Sequence, residues 1–99
     1  MGSLLYTPDG RVKVVRPANG KWWTLDEKRE LVGGNVEELL TIDGEFMLVN
    51  DMGKIQRPPL ELNKWATRIY VHGRSDVICG PALVVETRAE LEAPEEEAP

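Results

Sequence analysis

The stretch Val36-Glu37-Glu38-Leu39-Leu40-Thr41-Ile42, Asp43-Gly44, Glu45-Phe46-Met47-Leu48-Val49 decides the fold class. Two β-capable runs flank an Asp-Gly pair, and that dipeptide favours a type I′ turn because both central residues of such a turn need positive φ. A tight antiparallel hairpin is expected there. Its neighbouring carboxylates, Glu37 and Glu38, point to opposite faces of a strand and cannot share general acid and base work.

Towards the N-terminus, Thr24 followed by Glu27 is a capping box. Leu25, Lys28, Leu31 and Val32 then run at helical spacing into Gly33-Gly34, which reads as a helix end. Further back, Leu4-Leu5-Tyr6 and Val12-Lys13-Val14-Val15 are short β-type runs around Pro8-Asp9-Gly10, a second hairpin. Towards the C-terminus, Asn50-Asp51-Met52-Gly53 is a turn, and Arg57-Pro58-Pro59 should be extended, since proline disfavours helix in its predecessor. Leu62, Trp65, Ala66 and Ile69 place one apolar stripe on a two-turn helix, with Asn63 as N-cap and Gly73 near its end. Val77-Ile78-Cys79 and Ala82-Leu83-Val84-Val85 read as one β-segment broken by Gly80-Pro81, which calls for a bulge or an edge position.

The pattern predicts an α+β fold, a small mostly antiparallel sheet built from hairpins with two short helices. With 99 residues and 41% hydrophobic content the chain suits one domain. Its bounds are expected at residues 1–86, followed by an acidic disordered tail, 87–99, of mainly Glu, Ala and Pro. A segment as apolar as Val77 to Val85 makes an uncomfortable exposed edge, so a homodimer is an expected remedy. No stretch of about 18 apolar residues and no signal-like N-terminus is present, so a protein of the bacterial cytoplasm, without membrane contact, is expected.

The net charge of −5 resides in the last 14 residues. Residues 86–99 hold six glutamates against Arg88, whereas the other 85 residues carry 11 acids and 11 bases. Those charges are segregated along the chain. Residues 11–29 hold six bases and two acids, 30–51 six acids and no base, and 54–74 five bases and one acid. Such a balance argues against stable duplex DNA binding, which rests on phosphate neutralisation. It also argues against DNA mimicry, which needs patterned negative charge on a folded face.

The helix, Leu31-Val32-Gly33-Gly34, the Val36-Glu37 strand, Val49-Asn50, Gly53-Lys54, Pro59-Leu60, Asn63 with Ala66-Thr67, and Asp76 through Val85 occur in an order that resembles the family known as domain of unknown function 3846. The resemblance covers roughly residues 11–86. It implies a small protein of bacteriophages, plasmids and bacterial hosts with no assigned activity, sometimes found beside antirestriction genes. The paired Trp22-Trp23 and the Arg57-Pro58 stretch depart from the family's pattern.

Catalytic groups are scarce. One histidine, His72, and one cysteine, Cys79, are present, and Cys79 lies in an apolar run where a buried small hydrophobe is expected. Two such ligands do not make a structural zinc site, Asp43, Glu45 and Asp51 lack calcium-loop spacing, and no cofactor is expected. Gly33-Gly34 follows a helix, so it cannot cradle phosphate at a helix N-terminus. What remains is aromatic residues among bases: Lys21-Trp22-Trp23, and Lys64 with Arg68, one turn apart on the second helix, followed by Arg74. Of Trp22 and Trp23, one should be packed and the other exposed, and Trp65 should join Ile69 in the core. An exposed indole beside cations suits a stacked base with its phosphate.

These residues predict no enzyme. They predict a phage or mobile-element accessory protein with a counter-defence or host-modulating role, binding a nucleotide-like anionic ligand through Lys21, Trp22, Trp23, Lys64, Arg68 and Arg74. The alternative is a protein-protein interaction module that modulates a host or phage protein through the Trp22-Trp23 surface and a sheet edge.

Overall fold

The computed structural model describes residues 2–91. It holds five antiparallel strands, β1 (Ser3–Tyr6), β2 (Val12–Val15), β3 (Val36–Leu40), β4 (Phe46–Asn50) and β5 (Ala82–Val85), in the order β2-β1-β5-β4-β3. Helices α1 (Leu25–Val32) and α2 (Lys64–Ile69) complete an α+β fold.

Both predicted hairpins form, and both close by the same device. Gly10 N–H bonds the Thr7 carbonyl at 3.0 Å and Gly44 N–H bonds that of Thr41 at 3.0 Å, each glycine having positive φ (91° and 83°). No residue other than glycine has positive φ among those described. Asp43 therefore does not adopt the conformation a type I′ turn demands, and the expected two-residue turn is instead a three-residue loop ending in a left-handed glycine.

Strand pairing sorts side chains by parity. Leu5, Leu48, Leu83 and Val85 project to one face, where Trp23 and Leu91 pack with them. Met47, Val49, Ala82 and Val84 project to the other, against Ala66, Tyr70 and Ile78. Helix α1 lies on the Leu48 side and is capped as predicted: Glu27 N–H bonds Thr24 Oγ1, Thr24 N–H bonds Glu27 Oε1 at 2.9 Å, and Gly33 ends the helix in the left-handed region.

Three expectations fail. Val77–Val85 is not one edge segment. Gly80 turns the chain at φ 92°, only Ala82–Val85 forms a strand, and that strand is the buried centre of the sheet between β1 and β4. The edge argument for a homodimer thereby falls. The tail does not begin at residue 87: Arg88–Glu90 form a 3-10 turn, Glu90 O accepts from Trp23 N–H at 2.7 Å, and Leu91 is 3% exposed in the Trp23 cluster. The rest of the expected tail lies outside the described residues. The turn expected at residues 50–53 forms, Gly53 N–H bonding Asn50 O at 3.2 Å, but Arg57 and Pro58, expected to be extended, lie in a bend with the peptide bond between them cis. Among the described residues no helix is long and apolar enough to cross a membrane.

Candidate functional site

Helix α2 is too short to persist alone, so its position depends on tertiary bonds. Asn63, fully buried, supplies them. Its Oδ1 caps Ala66 N–H at 3.1 Å while its Nδ2 donates to the carbonyls of Tyr6 and Gly80, both at 2.9 Å. The N-cap role is legible in the sequence. The ties to β1 and to the turn before β5 are not, because nothing local marks those carbonyls as partners.

After α2 the chain doubles back. Ile42 N–H bonds Ile69 O at 2.8 Å and Val71 N–H bonds Leu40 O at 3.0 Å, so residues 69–71 lie along the outer edge of β3. Gly73 then passes so close to the helix that a Cβ there would sit 2.0 Å from the Thr67 carbonyl oxygen. Ser75 N–H and Asp76 N–H both bond His72 O at 3.0 Å, and Ile78 N–H returns to Thr67 Oγ1 at 2.8 Å. This folded-back turn carries Arg74 to the C-terminal end of α2, beside Arg68.

The result is an open groove of about 620 Å3 lined by Arg68, His72, Arg74, Ile42, Val71 and neighbouring backbone. His72 meets Tyr70 edge-on, ring centroids 5.6 Å apart, and the Arg68 guanidinium lies 5.1 Å from the centre of the Trp65 ring. Among the described residues no carboxylate lies within 4.0 Å of Arg68 or Arg74. Two uncompensated guanidiniums over a partly apolar floor can hold a phosphate by charge-assisted bonds and accept an apolar or aromatic group beside it.

A second cleft, on the far side of Tyr70, is much smaller, about 80 Å3. Glu37, Asp51 and Asp76 line it against Lys54, together with Cys79. Lys54 Nζ bonds Asp76 Oδ1 at 2.5 Å, and that mutual bond holds the Asp76 carboxyl below its usual range and raises the Lys54 ammonium. Val77 N–H adds a second donor to Asp76. Three carboxylates against one engaged lysine repel anions, and the volume suits a few waters at most. Cys79 is half-exposed on this cleft, not the buried hydrophobe expected from its apolar run.

The six predicted binding residues do not converge. Trp23 is 3% exposed, its Nε1 donating to Ser3 Oγ at 2.9 Å within the α1-side core, so it offers no face for stacking. Trp22 is half-buried and Lys21 exposed in the preceding loop, where both backbone N–H groups bond Asn19 Oδ1. Lys64 and Arg68 belong to the opposite side of the sheet, with α2. Arg68 and Arg74 line the groove; Lys64 is exposed one turn earlier and does not. Trp65, expected in the core, is 46% exposed, because Ala66 and Tyr70 instead take the buried positions of this segment. The sequence reading missed His72, Val71 and Ile42 as groove residues. The only signal that could have found them is the short reach from Gly73 back to α2.

A family model described as Domain of unknown function (DUF3846) matches residues 1–96 of the chain. No curated protein and no solved structure matches it.

Proposed function

The chain belongs to the DUF3846 family, which has no assigned function, and on the geometry of the groove we propose that it is a non-catalytic binding protein that captures a phosphate-bearing anion of the nucleotide class. The observation that supports this reading is the pair Arg68 and Arg74, both without a carboxylate partner among the described residues, flanking one groove with His72 and an apolar floor. A bidentate guanidinium contact orients a phosphate, while Ile42, Val71 and the His72 ring give a base or sugar something to cover. A counter-defence or host-modulating role inside a bacterial cell is the setting in which we place such capture, following what the family resemblance implies. The groove leaves Lys21, Trp22 and Trp23 out of the site.

Isothermal calorimetry against mono-, di- and cyclic nucleotides tests the proposal. One class should bind at micromolar affinity, corresponding to about 8 kcal/mol, and Arg68→Ala with Arg74→Ala should abolish the heat while circular dichroism stays unchanged. If no nucleotide binds while a host protein co-purifies stoichiometrically, the interaction-module reading replaces it.

A further inference from the structure

We propose that the outer edge of β2 takes up an extended acidic peptide segment as a sixth strand. Strand β2 ends the sheet and, among the described residues, has β1 as its only strand neighbour. Thr7 N–H bonds Arg11 O at 2.9 Å, which sets the alternation of the hairpin: Arg11, Lys13 and Val15 turn their backbone groups to β1. Val12 and Val14 therefore turn theirs outward. Their side chains share the α2 face of the sheet but lie beyond the reach of the helix, leaving Val12 48% and Val14 66% exposed. An edge strand with outward N–H and C=O groups and exposed valines is a template for strand addition.

The two sheet edges differ in what they leave open. The edge of β3 is occupied at Leu40 and Ile42 by residues 69–71, and β3 itself carries Glu37 and Glu38. The β2 edge has no such cover among the described residues, and it carries Arg11, Lys13 and Arg16 within six positions. Arg11 pairs with Asp9 at 3.3 Å, whereas neither Lys13 nor Arg16 has a carboxylate within 4.0 Å among the described residues. Sign selects the occupant. A second copy docking β2 against β2 about Lys13 would set Lys13 opposite its equivalent and double the positive charge along the seam, a destabilising cross-strand pair. An incoming strand with carboxylates on the Lys13 side and apolar side chains over Val12 and Val14 satisfies both faces.

The probe is the capped peptide Glu-Val-Glu-Val-Glu-Val, titrated into the 15N-labelled full chain. Slowed amide exchange and shift changes at Val12 and Val14 are expected, with affinity falling as salt rises. The Lys-Val counterpart should bind at least about tenfold more weakly. Val14→Pro removes only an outward N–H, so the β1 ladder should survive while peptide affinity drops by about tenfold or more. Lys13→Glu with Arg16→Glu should reverse the preference between the two peptides. Arg68→Ala with Arg74→Ala should leave all of this intact, which separates the edge from the groove. No perturbation at residues 12–16, equal binding of both peptides, undiminished binding by Val14→Pro, or the same protection appearing without peptide through self-association would overturn the proposal.

Discussion

The two sides of the sheet are held by different means. On the α1 side the helix is started by a capping box and stopped by Gly33, both encoded within a few residues, and a wall of Trp23, Leu48, Leu83, Val85 and Leu91 closes over it. On the α2 side the helix has six residues, hangs from the buried Asn63, and covers Leu4 and Tyr6 of β1 but leaves Val12 and Val14 of β2 bare. Each side carries a buried apolar cluster of similar size, so the two differ in how the helix is held rather than in whether a core is present. The groove and the small cleft belong to the side assembled from distant contacts, where backbone turns and exposed bases survive because packing does not consume them.

If that division is right, the sharpest blow to the α2 side is Asn63→Ala. It removes an N-cap and the side-chain amide that donates to the carbonyls of Tyr6 and Gly80, costing about 3 to 5 kcal/mol in urea unfolding. A loss under about 1 kcal/mol would mean that α2 is held by its apolar contacts alone. On the α1 side, Leu91→Ala should cost about 2 to 4 kcal/mol, because it empties a site in the Trp23 cluster. A neutral result would return residues 87–91 to a tail.

Loop geometry gives a smaller effect. Gly44→Val forces a β-branched residue to φ 83° and should cost about 1 to 2 kcal/mol. Asp43→Ala, at negative φ, should cost far less. Equal effects would restore a type I′ turn.

The smallest difference is in pH. Glu27 accepts from the backbone N–H groups of Thr24 and Ala18, which holds its carboxyl below the usual range, as Lys54 does for Asp76 across the sheet. A depressed folded pKa contributes stability that is present above the ordinary carboxylate value and is lost as pH falls through the folded one. The raised Lys54 ammonium works the other way, its contribution being lost as alkaline pH passes the folded value. Glu27→Gln and Asp76→Asn should each flatten the acid limb of the stability curve, and Asp76→Asn alone should also flatten the alkaline limb. These groups are solvent-exposed, so screening by salt should shrink the differences.

What the sequence shows, and what it hides, follows the same division. Thr24, Glu27, Gly33 and the Pro8-Asp9-Gly10 loop act on residues a turn away, and their roles are readable in the chain. The place of β5 at the centre of the sheet depends on pairing with β1 and β4, and no local pattern records such partners. Trp65 leaves its expected place in the core, and Trp23 rather than Trp22 is the packed member of its pair, for a related reason. An indole is buried or bare according to what lies across from it, and in α2 the small Ala66 lets the helix sit close to the sheet while Trp65 turns outward. Arg68 and Arg74 are visible as bases in the sequence, but only the fold-back at Gly73 brings them to one groove.

The most direct measurement is amide chemical-shift mapping of the 15N-labelled chain during titration with the tightest-binding nucleotide, repeated on Lys21→Ala with Trp22→Ala. The expected shifts fall on residues 67–75 and on Ile42, on the α2 side alone, and persist in the double variant. Shifts centred on residues 21–23 and lost in that variant would contradict the assignment of the groove.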